Sequence, residues 1–293
     1  MSTPSRLPRV YSLGRRPDVL RAEEQQATPP ASAQRSAPSR RWLRLGVAGC
    51  ALVLLVVGGV LFDPSPGSPA LPNPPCRQVL VLGFRGNGDS LDQDQGMGGD
   101  VWAVRQRLDS RIARLVDAGW AAFPYATGPV WLVPQHVITA SRTLSTYLSG
   151  RHRACPAEQW VLIGQSEGAA VVHLALPSVT NAFTTAVLLA DPARVAGTPY
   201  DTLTSRWDGV LPLLLLSRRW SLSGPRVNDN LPTRMTNRVR SYCLADDPVC
   251  NFSPGAVPHV LHGSAHTSYR LNPGGVADAA ADFAAARVLA DRR

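Results

Sequence analysis

The stretch that most constrains this fold is residues 161–170, which read VLIGQSEGAA. An apolar, strand-like run enters a G-x-S-x-G pentad, and small helix-forming residues follow it. In this context the glycines leave room for a strained turn that lifts the Ser166 hydroxyl clear of a sheet. Backbone N–H groups at the start of the new helix would then point at an oxyanion. The pentad alone also fits a glycine-rich strand-to-helix turn, but its context favours a nucleophilic serine.

Strand-like and helix-like segments alternate on both sides of this pentad. Buried strands are expected at residues 78–84, 160–164, 186–190 and 239–243. Helices are expected at residues 100–118 and 139–148, from the pentad through residue 176, and at 273–290. The alternation predicts an α/β fold in which helices flank both faces of a central parallel sheet.

The net charge of +9 is concentrated near the start of the chain. Residues 1–44 hold nine arginines and three acidic residues, a net charge of +6, which leaves +3 for residues 45–293. A nucleic-acid-binding domain would need basic residues clustered on its folded surface. The nearly neutral remainder therefore argues against a nucleic-acid partner.

The first part of the chain has the composition of a tail followed by a membrane span. Residues 1–41 are rich in Pro, Ser, Ala, Gln and Arg, cannot bury a core, and are expected to form a disordered cytoplasmic tail. Residues 42–62 include eighteen consecutive uncharged, mostly apolar residues, enough for a short transmembrane helix. Arginines precede this stretch and Asp63 follows it, so the positive-inside rule places the rest of the chain outside the membrane.

A Pro-rich linker at residues 63–75 then leads to a folded domain expected at residues 76–293. The alternative for the apolar stretch is a cleaved signal peptide, which would release this domain as a secreted protein. Forty-four residues precede the apolar stretch, which is unusually long for a signal peptide and favours a retained single-pass anchor.

Four cysteines follow the predicted span: Cys76, Cys155, Cys243 and Cys250. An even number in an oxidising compartment suggests two disulfides, with three possible pairings. A bridge between Cys243 and Cys250 would clamp a short turn-rich loop. A zinc site is the alternative, but the chain has no C-x-x-C spacing to favour it.

A nucleophilic serine needs a base and an orienting acid, which in this fold follow in the order Ser, Asp, His. The candidate acids in loops after strands are Asp191, Asp246 and Asp247, and the candidate bases are His259, His262 and His266. His173 lies more than one turn into the helix after Ser166, so it is expected to point away as a surface or packing residue. Spacing alone leaves the choice among the others open.

Several short motifs stand in order along residues 76–293. They are Cys76 before the first strand, Arg85-Gly86 at its end, Cys155-Pro156 before the serine strand, Tyr242-Cys243, Asp247-Pro248-Val249-Cys250, and His266-Thr267-Ser268-Tyr269 before an Ala-rich helix. In this order they resemble the cutinase family of serine esterases, especially its actinobacterial members.

The resemblance implies an α/β-hydrolase fold for residues 76–293. It implies Ser166 as the nucleophile, Asp247 as the acid, and His266 as the base, since Tyr269 and the terminal helix follow that histidine as in the family. It also implies the disulfides Cys76–Cys155 and Cys243–Cys250. This chemistry needs no metal or organic cofactor.

Two residues depart from the family pattern. Glu167 follows the nucleophile where the family usually has Gln, and Asn87 follows Arg-Gly where the family usually has a small hydroxyl residue. The backbone N–H groups of both remain as the expected oxyanion hole. We expect the Asn87 amide to donate a hydrogen bond to the Glu167 carboxylate, with a solvent-facing Glu167 as the alternative.

The preferred interpretation is a serine carboxylic-ester hydrolase, anchored in the cytoplasmic membrane, that acts on lipid or cell-envelope esters outside it. The alternatives are an acyltransferase, a thioesterase or a phospholipase with the same triad, or a catalytically weak envelope-binding protein. The apolar run at residues 211–216 is expected to pack in the core, with an apolar flap near a lipid-facing site as the alternative.

Overall fold

The computed structural model describes residues 70–217, 231–262, 265–271 and 274–292 of the chain. The predicted tail and membrane span, residues 1–62, lie outside these ranges, as does most of the predicted linker. No helix within the described ranges is long and apolar enough to cross a membrane.

Five parallel strands form one central sheet in the order β2-β1-β3-β4-β5. The strands are β1 (Val79–Phe84), β2 (Ala118–Ala122), β3 (Gln159–Gln165), β4 (Thr184–Leu189) and β5 (Val239–Tyr242). The α-helices are α1 (Gly99–Ile112), α2 (Val133–Ala154), α3 (Glu167–Ala175), α4 (Leu211–Ser217) and α5 (Val276–Ala290). The predicted α/β fold with a parallel sheet is confirmed.

Helices cover both faces of this sheet because each strand sends alternate side chains to opposite sides. From β1, Leu80 and Leu82 enter the core beneath α2 and α3, whereas Val79 and Val81 enter the core beneath α1 and α5. Leu211, at the start of α4, is buried in the first of these cores, whereas Leu213 is 47% exposed, so the described part of the apolar run is buried only in part.

Strand β2 was not predicted from the sequence. The expected helix at 100–118 ends at Ile112, and the chain turns into a strand that reads AGWAA. Alanine and glycine are weak strand formers, so this segment carries little local signal. It is a strand because it pairs in parallel with β1, from Val79 beside Ala118 to Gly83 beside Ala122.

Helix α2 is longer than predicted, since it begins at Val133 rather than at residue 139 and ends at Ala154. Pro134 lies in its first turn, where a missing backbone N–H costs no helical hydrogen bond and the fixed φ suits a helix. As a result, His136 lies on this helix.

Because the strands are parallel, all of them begin at one edge of the sheet and end at the opposite edge. All strands end at the same edge, where loops after parallel strands usually build sites. At the opposite edge, where the strands begin, the buried Arg151 guanidinium donates hydrogen bonds of 2.7 Å to both carboxylate oxygens of Glu158. It also donates to the carbonyl oxygens of Pro74 at 2.6 Å and Pro75 at 3.1 Å. The start of the domain is therefore fixed to this edge.

Candidate active site

Ser166 occupies a sharp turn between β3 and α3. Its backbone has φ 54° and ψ −123°, a conformation that a non-glycine residue adopts only at a cost. The flanking glycines permit the turn, because a Cβ on Gly168 would lie 2.3 Å from the carbonyl oxygen of Phe84. A Cβ on Gly164 would lie 2.6 Å from the carbonyl oxygen of Gly168. The G-x-S-x-G pattern is thus required by close backbone packing.

A chain of hydrogen bonds joins Ser166 to two residues that follow β5. The Nε2 atom of His266 lies 2.8 Å from the Ser166 Oγ. The Nδ1 atom of the same ring lies 3.1 Å from each carboxylate oxygen of Asp247. With Nδ1–H donating to the carboxylate, Nε2 is left as an acceptor for the serine hydroxyl. The three side chains named from the resemblance therefore lie in contact.

Asp247 is buried and surrounded by donors. The Tyr269 hydroxyl donates to its Oδ2 at 2.7 Å, and the backbone N–H of Val249 donates to its Oδ1 at 2.9 Å. The same tyrosine oxygen accepts from the backbone N–H of Leu244 at 3.0 Å. Burial alone would raise the pKa of Asp247, but His266 and these donors together hold that pKa below its usual range. Asp247 is therefore ionised at neutral pH.

The pKa of His266 is shifted in the opposite direction to that of Asp247. Burial alone would lower the pKa of its imidazole, but the Asp247 carboxylate and its hydrogen bond raise that pKa above the ordinary value, with help from Asp100 and Asp89. The Asp247 carboxylate therefore stabilises the protonated form of the His266 imidazole. Gln165, next to the serine, donates from Nε2 to the backbone carbonyl of His266 at 3.3 Å and so links β3 to the histidine loop.

Both disulfides implied by the resemblance are present. Cys243 and Cys250, with Cα atoms 5.9 Å apart, close the loop that carries Asp247. Cys76 and Cys155, with Cα atoms 5.6 Å apart, join the segments before β1 and β3. The first bridge belongs to the site, and the second lies at the opposite edge of the sheet.

The other candidate acids and bases lie outside this hydrogen-bonded chain. Asp191 pairs with His173, whose Nδ1 lies 2.6 Å from its Oδ2, and both side chains are buried. Asp246 is exposed, with His259 Nε2 at 3.9 Å from its Oδ1. The side chain of His262 lies outside the part of the chain that the structure describes.

The expected contact between Asn87 and Glu167 is wrong. The Asn87 amide instead donates to the backbone carbonyl of Gly128, at 2.9 Å, on the loop after β2. Glu167 does not face solvent either, because only 1% of it is exposed. Within the described residues, neither carboxyl oxygen of Glu167 has a hydrogen-bond partner. The backbone of Glu167 nevertheless opens α3, so its N–H has no helical acceptor of its own.

Burial favours the neutral form of the Glu167 carboxyl group. Burial raises the pKa of this group to about 8, and the charge of Arg85 opposes that shift only in part. Among the described residues, the ionisable nitrogen nearest to this carboxyl group is Nδ1 of His136, 3.7 Å from the Glu167 Oε1, which is too long for a hydrogen bond. Sequence reasoning missed this neighbour because His136 precedes the predicted start of its helix.

The comparisons with known proteins agree with this geometry. Residues 75–288 match the family model described as Cutinase. Among solved structures, a cutinase-like protein from Cryptococcus sp. is 18% identical, with a TM-score of 0.54, over 73% of this chain and 96% of that one. The catalytic core domain of an acetyl xylan esterase from Trichoderma reesei is 22% identical, with a TM-score of 0.51, over 72% of this chain and 99% of that one. No curated protein matches. At these identities the solved structures establish a shared fold.

Proposed function

Because the chain belongs to the cutinase family and is thereby a carboxylic ester hydrolase, we propose that it hydrolyses esters through Ser166, His266 and Asp247. The observation that carries this proposal is the continuous hydrogen-bonded path from the serine hydroxyl, through both ring nitrogens, to a buried carboxylate. Serine, base and acid come from loops at one edge of the sheet, where an ester can approach them.

The geometry supports the usual two-step acyl transfer. As the Ser166 oxygen attacks the ester carbonyl, its proton passes to Nε2 of His266, and Asp247 holds the imidazole in the required tautomer. The imidazolium then gives that proton to the departing alcohol, which leaves an acyl-serine. Water attacks the acyl-serine with the same histidine as base, releases the carboxylic acid and restores the serine hydroxyl.

The oxyanion hole in this proposal consists of the backbone N–H groups of Asn87 and Glu167. Glu167 lies directly after the nucleophile at the positive end of α3. Asn87 lies in the loop after β1, which Asp89 shapes by accepting a hydrogen bond from the backbone N–H of Gly86 at 2.8 Å. Preformed backbone donors of this kind stabilise the tetrahedral intermediate without reorganising.

The place of action and the substrate class are part of the proposal. The apolar stretch at residues 42–62, read as a single-pass anchor, would hold the catalytic domain outside the cytoplasmic membrane. The two disulfides suit an oxidising compartment of that kind. Tethering to a membrane favours lipid or cell-envelope esters over a freely diffusing polymer as substrates.

The test is hydrolysis of short p-nitrophenyl esters by the purified full-length chain. We expect Ser166→Ala to lower kcat by about 1,000-fold or more. The matched control is Ser110→Ala, which removes an exposed hydroxyl on α1 and should leave the rate unchanged. A fluorophosphonate should label the wild type at Ser166 and not the alanine variant. Retained activity or labelling in Ser166→Ala would overturn the assignment, and adding an alcohol acceptor separates hydrolysis from acyl transfer.

A further inference from the structure

The carboxyl group of Glu167, the residue that follows the nucleophile in the chain, is buried. Neither of its oxygens accepts a hydrogen bond from any residue that the structure describes. A carboxylate in such a place loses its hydration and gains no partner in return. A neutral carboxylic acid carries a much smaller desolvation cost, so this position selects the protonated form.

The charged and titratable groups on the packed elements do not reverse this selection. Arg85, on the loop after β1, donates through Nη2 to the carbonyl oxygen of Tyr125 at 2.9 Å and to Thr127 Oγ1 at 3.4 Å. Its buried Nε and Nη1 groups have no hydrogen-bond partner among the described residues, so its charge favours ionised Glu167 only through space, and burial outweighs that effect. Tyr125, on the loop after β2, donates its own hydroxyl proton to the carbonyl oxygen of Arg85, and burial keeps its pKa well above the ordinary value. His136, on α2, is biased toward its neutral form because burial lowers its pKa.

The backbone of this same residue supplies one of the proposed oxyanion donors. Negative charge accumulates on the substrate oxygen next to the Glu167 N–H in the transition state. A carboxylate on the same residue would repel that charge in a site of low dielectric, whereas a neutral acid would not. The departure from the family's usual glutamine is therefore harmless only while the side chain keeps its proton.

We propose that Glu167 serves the reaction as a neutral acid and that its ionisation disables the oxyanion hole, which gives this enzyme an alkaline limit that a glutamine would not impose. The inference rests on the proposed esterase function. It also predicts a narrow active range, because His266 must be deprotonated while Glu167 is still protonated. The pKa of His266 lies above its ordinary value, and that of Glu167 is about 8.

The test is the pH profile of kcat/KM for a p-nitrophenyl ester, measured on the full-length chain between about pH 5.5 and pH 10 with spontaneous hydrolysis subtracted. For the wild type we expect a decline centred near pH 8, approaching tenfold per pH unit beyond it. Glu167→Gln should keep the acidic limb and lose the alkaline one, whatever its absolute rate at neutral pH. Circular dichroism at each pH separates this decline from unfolding.

The matched control is Asp92→Asn, which removes one negative charge from an exposed residue on the loop after β1. It should retain the alkaline limb of the wild type. An alkaline limb that persists in Glu167→Gln, or that disappears in Asp92→Asn, would overturn the inference.

A second measurement does not depend on any variant folding. Infrared difference spectra of the wild type should show the C=O stretch of a buried protonated carboxyl group disappearing as the pH is raised through about 8. The absence of that signal at neutral pH would also overturn the inference. Failure of the proposed function itself would be recognised separately, as activity that survives Ser166→Ala at every pH.

Discussion

Replacing Tyr269 with phenylalanine tests how the acid of the proposed triad is held. The ring would stay in its buried position, and only the hydroxyl would be lost. That hydroxyl donates to Oδ2 of Asp247 at 2.7 Å and accepts from the backbone N–H of Leu244 at 3.0 Å. Tyr269→Phe therefore removes one hydrogen bond to a charged group and leaves one partly buried donor, the Leu244 N–H, without this partner.

The magnitude follows from these two losses. A hydrogen bond to a charged group contributes about 1.5–3 kcal/mol, and a buried donor left unsatisfied costs about 1–3 kcal/mol. Because the two effects share one hydroxyl and are not fully additive, we expect the free energy of unfolding to fall by roughly 2–4 kcal/mol at neutral pH. With one donor fewer, Asp247 orients His266 less firmly, and kcat should fall roughly tenfold.

The pH dependence of the stability loss has a defined sign. The pKa of folded Asp247 is held below its ordinary value, so its hydrogen bonds contribute stability above that value and lose it as the pH falls through the folded pKa. Tyr269→Phe raises the folded pKa of Asp247. The difference in stability between the two proteins should therefore be complete at neutral pH and shrink below about pH 4.

Denaturant unfolding and ester hydrolysis, measured on the same preparations, check this prediction. The control is Tyr242→Phe, which removes a hydroxyl that donates only to the carbonyl oxygen of Ala279 at 3.1 Å. This control should lower the free energy of unfolding by about 0.5–1.5 kcal/mol and leave kcat unchanged. If Tyr269→Phe loses no more stability than this control and keeps its full kcat, the role given to the Tyr269 hydroxyl is refuted.

Three further predictions concern separate parts of the domain. Because the carboxylate partner raises the pKa of His266, the acidic limb of kcat/KM should have its midpoint above 6.5, and a midpoint at or below that value would contradict the pairing. In a Cys243→Ser/Cys250→Ser variant the free energy of unfolding should fall by about 2–3 kcal/mol, because the closed loop is short. Its kcat should fall as well, because this loop carries Asp247, and an unchanged kcat would contradict the role given to the bridge. Arg151→Met should lower the free energy of unfolding by about 3–5 kcal/mol, because it leaves Glu158 buried and unpaired. Denaturant unfolding should show this loss, and turnover measurements should show an unchanged kcat for the folded protein.

The turn at Ser166 could be predicted from the sequence because its determinants are local. Gly164 and Gly168 are required by backbone contacts within a few residues of the serine and with the neighbouring strand. The ordered motifs likewise predicted Asp247 and His266 as partners of Ser166, and both residues, which follow β5, join the serine at the end of β3 through hydrogen bonds. Propensity alone could not have chosen them among the alternatives.

The surroundings of Glu167 could not be predicted, and the reason can be traced to β2. Its AGWAA sequence is a strand only because β1 offers a partner, so the loop that follows it had no predicted place in the site. That loop supplies the Gly128 carbonyl that takes the Asn87 amide. The early start of α2 brings in His136 as well. The expected Asn87–Glu167 contact failed because these competing neighbours are distant in sequence.

The hydrogen bonds from Arg151 to the carbonyl oxygens of Pro74 and Pro75 fix the place where the chain enters the domain. The peptide enters the domain at the edge where β1 starts, and Ser166 lies beyond the end of the adjacent strand. Six residues of strand separate the two edges by about 20 Å. An anchor upstream, as we propose, would be attached at the edge of the sheet opposite Ser166. The active site would then face away from the membrane. Such an enzyme would reach the layer above its own membrane more readily than the lipids in which it is anchored.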